Sequence, residues 1–406
     1  MSSKFQTITR ILLAWCMLIG MQTFMKAQPM VQSKVIDGLR DKPLRYLALT
    51  QCTLIPEPGR IIRNATIIIR NDRIEAAGAQ IAIPVGATVR SLNGAFVYAG
   101  FIESYSSAGV PGGQSKQGSF DGEDEIEKPA SLNRGARYWN EAIKPEMNIA
   151  NSLGIDEKSA SELYKQGFCI AHVNSMDGIM RGTSALVFAK PGSANEVILK
   201  PDISQWMSFR KGSSRNAYPS ALMGSIALIR QAMLDGQWYA EAQQTFAKNP
   251  KAPAPETNFS LEAIGGIFSR KTPIVFETGN EHAVLRAAKI AKEFDLNLIY
   301  EGSGYEYRRL PQIAALKSTM IIPLSFPAAP NVQSLRSASG VSLAELKAWD
   351  AAPSNPAMLE KAGVRFVLTM NGLKDKSDFL KNLRSEEHTS ELQSRQYLVC
   401  RLLLEK

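Results

Sequence analysis

The chain has 406 residues, of which 45% are hydrophobic and 21% are charged. These proportions are ordinary for a globular protein and exclude the disordered and collagen-like classes. The formal net charge is +9, but the positive residues are scattered among acidic ones, so we do not expect binding to nucleic acid. The four cysteines are too few and too far apart for a disulfide framework or a zinc cluster.

The N-terminus has the pattern of a secretory signal peptide over residues 1–27. Lys4 and Arg10 come first, an apolar run over residues 11–21 follows, and Ala27 closes the segment. The apolar run is about eleven residues long, whereas a membrane-spanning helix needs roughly twenty. We therefore predict a protein exported to the periplasm or the extracellular space, with no stable membrane span after the signal is removed.

Residues 28–98 are predicted to form a small β-sandwich module. Short β-branched segments alternate there with turn signals. The segments are "YLALT", "CTLI", "ATIIIR", "RIEAAG", "ATVRSL" and "AFVYAG". Asn71 and Asp72 mark a hairpin, and Pro56, Pro58 and Gly59 interrupt the chain before it.

Residues 99–383 show strands that alternate with helices. The strand candidates are "GFCIAHV", "SALVFA", "TPIVFET", "LNLIYEG", "TMIIPLS" and "VRFVLTM", and the helix candidates are "DEKSASELYKQ", "AYPSALMGSIALIRQAML", "EHAVLRAAKIAKEF" and "NPAMLEKAG". This order favours parallel βα units whose sheet is covered on both faces. The predicted fold class is α/β, a (β/α) TIM-like barrel that is either complete or incomplete at its C-terminal end. A doubly wound open sheet is the alternative.

The end of the chain changes character at Arg384. The string "RSEEHTSELQS" resembles the translation of a sequencing-library adapter. A charged amphipathic tail helix is the alternative. We interpret residues 384–406 as a non-native tail that will not pack as an integrated element, so His388 and Cys400 carry no functional meaning. We also expect the natural protein to continue beyond residue 383.

Two stretches resemble the amidohydrolase superfamily of metal-dependent hydrolases. The first, residues 65–103, reads "ATIIIRNDRIEAAGAQIAIPVGATVRSLNGAFVYAGFIE" and leads from the β module into the first barrel strand. The second, "GFCIAHVNSMDGIMRGTSALVFAK", is similar to the second-strand region of the imidazolonepropionase-related branch. The resemblance covers residues 45–383. It implies a barrel that holds a divalent metal of the zinc type and hydrolyses C–N bonds in amides or cyclic amides.

The residues that this resemblance leads one to expect as metal ligands are missing. Active members end the first barrel strand with a His-x-His pair, and the corresponding positions here hold Tyr105 and Ser107. Neither side chain is a usual zinc ligand at neutral pH. The resemblance also implies histidines near Glu277 and Glu301 and an aspartate at Asn371, whose amide cannot act as a general base. We therefore expect no metal in this chain and leave its catalytic residues unassigned.

Further pocket candidates come from residue chemistry. Glu103, Glu277 and Glu301 stand at predicted strand ends, where they could hold a hard cation or remain solvated charges. Arg181 could bind a carboxylate ligand at the barrel mouth or form a surface salt bridge. His172 ends a predicted strand and could be a structural histidine or face the pocket.

Three hypotheses on function remain open. The first is an exported, catalytically degenerate amidohydrolase-like domain, whose expected partner is a downstream catalytic amidohydrolase domain or a second copy of the chain in a homo-oligomer. The second is an active hydrolase with unusual oxygen ligands. The third is an exported domain that binds a small ligand or a peptide.

Overall fold

The computed structural model describes residues 45–111 and 135–389, apart from residues 58, 72, 252 and 269–271. The predicted signal peptide and most of the predicted non-native tail lie outside the described residues. The described chain divides into two compact units. Residues 45–52 and 64–93 belong to the first unit, and residues 53–63 and 94–389 belong to the second.

The first unit is built on one β-sheet, with the strand order β3-β2-β1-β4. Its strands are β1 Tyr46–Glu57, β2 Arg60–Arg70, β3 Arg73–Ala79 and β4 Thr88–Ser91. β1 pairs with β4 in parallel, and β2 forms the expected antiparallel hairpin with β3 at Asn71. The segments "YLALT" and "CTLI" form one continuous strand instead of two. The described residues contain no second sheet facing this one, so the predicted sandwich is not confirmed.

The boundary between the units runs through β1 and β2, because residues 53–63 belong to the second unit. The second unit also contains the remaining strands. They are β5 Phe96–Tyr98, β6 Phe101–Ser106, β7 Gly154–Ile155, β8 Phe168–Val173, β9 Met180–Thr183, β10 Ala185–Phe188, β11 Gly192–Ser193, β12 Ile198–Lys200, β13 Gln205–Ser208, β14 Ile274–Glu277, β15 Leu298–Glu301, β16 Met320–Pro323 and β17 Phe366–Thr369. One sheet has the order β12-β10-β8-β6 and another has the order β17-β16-β15-β14-β13-β9. β5 pairs with β1, and β7 pairs with β11.

Parallel pairing dominates where the sequence predicted it. β6 and β8 are parallel, and β13 to β17 form an unbroken parallel series. The segment "SALVFA" was expected to be a parallel barrel strand, but it forms β10, which runs antiparallel to β8. β13 was not predicted, because its four residues begin with Gln205 and end with Ser208, and such a short apolar centre carries no clear periodicity.

The parallel strands curve around a shared interior. Tyr105 of β6, Trp206 of β13 and Val275 of β14 form one buried cluster with Ile321 and Val367, although β6 and β13 belong to different sheets. The rings of Tyr105 and Trp206 are 4.8 Å apart. Such convergence of side chains from several strands is typical of a (β/α) barrel core. The second unit is thus a mixed α/β structure in which side chains from two sheets share one core.

Helices cover the parallel strands. They are α1 Glu157–Tyr164, α2 Ala194–Val197, α3 Leu222–Lys248, α4 Phe259–Phe268, α5 Glu281–Phe294, α6 Leu310–Ala314, α7 Leu335–Ser339, α8 Leu343–Ala351, α9 Asn355–Lys361 and α10 Asp378–Thr389, with short 3₁₀ helices at Ile149–Asn151, Glu306–Arg309 and Ala352–Ser354. α5 matches its prediction residue for residue, because Val284, Ala287 and Ile290 repeat at helical spacing and are buried. α3 extends well beyond the predicted segment, and α10 continues across Arg384. Among the described residues, no helix combines the length and apolar character needed to cross a bilayer.

Candidate functional site

The candidate site is a cavity of about 850 Å³ within the second unit. Tyr105 reaches it from β6, Glu277 from the end of β14, Glu301 from the end of β15, and Asn371 from the loop after β17. β14 and β15 are parallel and in register, so Glu277 lies directly beside Glu301. Ends of parallel strands commonly carry the functional groups of such folds, because they collect side chains from distant parts of the chain.

Glu277 is the centre of the charged network in this cavity. Nη1 of Arg181 lies 2.6 Å from Oε2 of Glu277, and the hydroxyl of Tyr105 donates a hydrogen bond to the same oxygen. The Arg181 side chain is only 2% exposed. Burial raises the pKa of Glu277, but Arg181, Tyr105 and Arg210 outweigh it, so the pKa falls below its ordinary value. Glu277 therefore remains ionised at neutral pH and is held by a buried cation.

Local backbone geometry delivers Arg181 to this position. Gly182 has a φ of +87°, and a Cβ added there would lie 2.0 Å from the carbonyl oxygen of Met147. Only glycine accommodates both that conformation and that approach. The Nε atom of Arg181 donates to the carbonyl oxygen of Gly178 at 3.0 Å, which orients the guanidinium. The surface salt bridge considered for Arg181 is not what the structure shows: the guanidinium lines the cavity and forms a buried ion pair with Glu277.

Arg210 is a site residue that the sequence did not reveal. It follows the unpredicted strand β13, and its Nη1 atom lies 3.5 Å from Oε1 of Glu277. The side chain is 43% exposed, so this second guanidinium remains open to the cavity. Its Nη2 atom lies beside Gly279, 3.5 Å from where a Cβ of that residue would be.

Glu301 and Asn371 form the second polar pair of the cavity. Nδ2 of Asn371 donates to Oε1 of Glu301 at 3.1 Å. Burial, reinforced by the nearby charge of Glu277, raises the pKa of Glu301 well above its ordinary value. The environments of these two adjacent carboxyl groups shift their pKa values in opposite directions, which favours the charged form of Glu277 and the protonated form of Glu301.

Glu103 lies in an adjoining cavity of about 690 Å³, which Tyr105, Ser107 and Asn371 also line. Its carboxylate accepts hydrogen bonds from the backbone N–H groups of Tyr105 and Met370, at 3.0 and 2.8 Å, and from the hydroxyl of Thr369. Burial raises the pKa of Glu103 to about 7, although the three hydrogen-bond donors each lower it. Because its oxygens are occupied by the backbone, Glu103 ties β6 to β17.

His172 lies away from the lining residues of both cavities and is buried. Its Nε2 atom is 2.6 Å from the hydroxyl of Ser184 and 3.2 Å from that of Ser204, and its ring packs edge-on against Trp206. Burial lowers the pKa of His172 to about 4, so the ring is neutral at pH 7. This geometry corresponds to the structural alternative considered for His172.

The structure brings six of the eight candidate residues into the first cavity. They are Tyr105, Ser107, Arg181, Glu277, Glu301 and Asn371. Glu103 shares the adjoining cavity, and His172 joins neither. Lys374 and Arg210 line the first cavity without having been singled out, because neither belongs to a recognisable motif.

Comparisons with solved structures identify the architecture. An amidohydrolase from Thermotoga maritima MSB8 superposes with a TM-score of 0.64 at 18% sequence identity, over 84% of this chain and 83% of that one. The chain has the fold of an amidohydrolase. The resemblance seen in the sequence is thereby confirmed at the level of the fold. No family model matches the sequence, and no curated protein matches it.

More distant matches to the amidohydrolase fold are also found. A prolidase in complex with N-methylphosphonate-L-proline aligns with 11% identity and a TM-score of 0.42, over 87% of this chain and 84% of that chain. An ochratoxinase from A. niger aligns with 11% identity and a TM-score of 0.38, over 89% of this chain and 82% of that chain.

The amidohydrolase fold implies a divalent metal, and the residues present here do not fit one. The groups at the positions expected to bind a metal include a phenol that donates to Glu277, an amide at Asn371 and the carboxyl of Glu301, whose pKa is raised well above its ordinary value. Burial raises the pKa of Tyr105 well above its ordinary value, with the charge of Glu277 as a second cause, so the phenol does not ionise to become a ligand. The carboxylate of Glu277 already contacts the guanidinium of Arg181. A metal ion at this carboxylate would lie beside the guanidinium groups of both Arg181 and Arg210, whose charges would repel it.

Proposed function

We propose that this chain is an exported domain with the amidohydrolase fold that has lost metal-dependent hydrolysis of C–N bonds. The observation that carries the proposal is the buried guanidinium of Arg181, 2.6 Å from Glu277 at the mouth of the cavity. A positively charged side chain stands against the ionised carboxylate with which a metal ion would have to pair. Fold and activity are separable, so the fold by itself does not argue for turnover.

Hydrolysis of an amide requires a nucleophilic water and a group that accepts its proton. Asn371 cannot accept a proton, and the charge of Glu277 is engaged by Arg181 and Tyr105. Burial and the charge of Glu277 raise the pKa of Glu301 well above its ordinary value, which favours its protonated form. None of these three side chains is therefore suited to accept the proton of an attacking water.

The alternative function is an active hydrolase that binds a cation through oxygen ligands. Glu277 and Glu301 are neighbours in register, and Glu103 lies in the adjoining cavity. For these oxygens to bind a hard cation, Arg181 would have to leave Glu277 and Glu301 would have to lose its proton. Both changes carry a free-energy cost, which makes this function the less favoured one.

Elemental analysis of the dialysed protein, paired with an assay on N-acyl amino acids, dipeptides and hydantoins, tests the proposal. We expect substoichiometric zinc and no turnover above the uncatalysed rate, with and without added zinc or manganese. A matched sample treated with chelator controls for carried-over metal. Near-stoichiometric metal, or turnover that chelator abolishes and metal restores, would establish the oxygen-ligand hydrolase instead.

Binding of a small ligand is a second candidate function. It is favoured by the size of the cavity, about 850 Å³, which lies in the range of small-molecule sites. Export rests on the signal-peptide pattern of residues 1–27. A downstream catalytic domain or a second copy of this chain is the partner that we propose for the degenerate domain.

A further inference from the structure

We propose that the cavity binds a small organic monocarboxylate through the guanidinium of Arg210, with Lys374 as the second cation of the site. The inference rests on the ligand-binding function given above, in that the acid is treated as a ligand that is not consumed. It adds the class of ligand and the residue that recognises it.

The first step is the charge balance at Glu277. Two guanidinium groups, those of Arg181 and Arg210, share this one carboxylate. Arg181 is buried and takes the short contact of 2.6 Å, whereas Arg210 is 43% exposed and stays 3.5 Å away. The cluster therefore keeps one excess positive charge, and the group that carries it faces the cavity.

The second step is the geometry that Arg210 offers. A guanidinium presents several N–H donors in one plane, which match the two oxygens of a carboxylate. Arg210 uses one terminal nitrogen on Glu277, and its Nη2 atom lies over Gly279. Lys374 lines the same cavity, and among the described residues it has no ion-pair partner.

The third step concerns the rest of the wall. Tyr305, Phe326 and Pro327 supply apolar surface for the body of a ligand. Glu301 also lines the cavity, and its raised pKa favours the protonated carboxyl, which can donate a hydrogen bond to a ligand oxygen such as an amide carbonyl. The acidic residues Glu277 and Asp378 also line the cavity, which favours a singly charged acid over a more highly charged anion.

Calorimetric titration of the full chain tests the assignment with a matched pair of probes, N-acetyl-L-phenylalanine and N-acetyl-L-phenylalaninamide. The two differ only in the charge of the terminal group. We expect the acid to bind at least about tenfold more tightly than the amide, a difference of about 1.4 kcal/mol. Arg210→Gln should remove that preference and Arg210→Lys should keep part of it.

Arg230→Gln is the matched control. Arg230 is 42% exposed and pairs with Glu293 outside the cavity, so its loss should leave the preference unchanged. Equal binding of acid and amide, no binding of the acid at millimolar concentration, or an unchanged preference in Arg210→Gln would overturn the inference. Proton NMR of the same mixtures detects released acetate. Its appearance would refute the proposed loss of hydrolysis, whereas the dependence on Arg210 would still decide the ligand class.

Discussion

Nη1 of Arg181 lies 2.6 Å from Oε2 of Glu277, and the two residues are 96 positions apart in the chain. Arg181 belongs to no recognisable motif, and Glu277 is the last residue of a short apolar strand. Nothing in the sequence pairs the two residues, but the fold buries their charges together. Burial of an ion pair makes each partner depend on the other, because a lone charge in the interior is strongly disfavoured. The first three predictions follow from this dependence.

Replacing Arg181 by Met should destabilise the protein by about 3–5 kcal/mol, because it leaves the charge of Glu277 buried without its main partner. The double variant Arg181→Met with Glu277→Leu should recover a large part of that loss. Urea unfolding followed by circular dichroism measures both. The surface pair Arg230 and Glu293 is the control, and Arg230→Met should cost no more than about 1 kcal/mol. A single variant of Arg181 as stable as the wild type would contradict the pairing.

Removing the guanidinium should also change cation binding. In Arg181→Met, the oxygens of Glu277, Glu301 and Asn371 face a cavity without the buried positive charge, so affinity for Mn²⁺ should rise at least about tenfold over the wild type. Oxygen donors suit manganese better than zinc. Calorimetry or electron paramagnetic resonance measures the affinity. Arg181→Lys keeps the charge and should behave like the wild type; equal affinities in all three proteins would show that Arg181 does not exclude a cation.

The neighbouring carboxyl groups should respond in opposite ways to the same substitution. Glu301→Gln replaces a protonated acid by an amide of similar shape, and Gln can still accept the hydrogen bond from Asn371. The free energy of unfolding at pH 7 should therefore change by less than about 1 kcal/mol. Glu277→Gln removes the charge that holds Arg181 and should cost about 3–5 kcal/mol. Equal losses in the two variants would mean that Glu301 is ionised in the folded state.

His172 should make stability depend on pH. Its folded pKa of about 4 lies below the ordinary value of 6.5, so the unfolded chain binds the extra proton first. The neutral ring therefore contributes to the free energy of unfolding in full above pH 6.5. This contribution is lost as the pH falls towards 4, and the total loss is about 3 kcal/mol.

The pH dependence of the unfolding free energy of the wild type does not by itself isolate the effect of His172. Glu103 has its pKa raised from 4.5 to about 7, so its contribution is complete below pH 4.5 and is lost as the pH rises to 7, with the opposite slope. The measurement is the difference in unfolding free energy between the wild type and His172→Gln across this range. The wild type should lose stability relative to the variant as the pH falls; a flat difference would show that His172 titrates normally.

The first turns of α10 should be essential for stability, whereas the residues from 385 onwards should be dispensable. The ring of Phe379 is 5.0 Å from that of Phe168, and Nδ2 of Asn382 donates to the carbonyl oxygen of Leu324 at 2.8 Å. Phe379→Ala should cost about 3–5 kcal/mol. Deletion of residues 385–406 should leave the melting temperature within a few degrees of the full chain, in keeping with the non-native tail that we propose. A large loss on deletion would show that the tail packs.

The elements of this fold that the sequence predicted share a strong local pattern. β14, β15, β16 and β17 each lie within the predicted apolar runs, and α5 repeats its buried positions at helical spacing. Tyr105, which the sequence singled out as a pocket candidate, lies in β6 and belongs to the buried cluster with Trp206. β13 was not predicted because only Trp206 and Met207 are apolar in it. Without this strand, the sequence could not place Arg210, which follows it. Its burial comes from β9 and β14 on either side and not from its own composition.

The sequence by itself determined which side chains stand at strand ends and that Tyr105, Ser107, Glu277, Glu301 and Asn371 stand where the resemblance implies metal ligands, because both are matters of local order along the chain. Only the tertiary structure decided what those side chains do. Arg181 neutralises Glu277, Glu301 keeps its proton and His172 loses its own, since each outcome depends on burial and on charges brought together from distant segments. Coulomb energy and desolvation depend on distance in space, and distance in space is set by the packing of the strands and not by spacing in the chain.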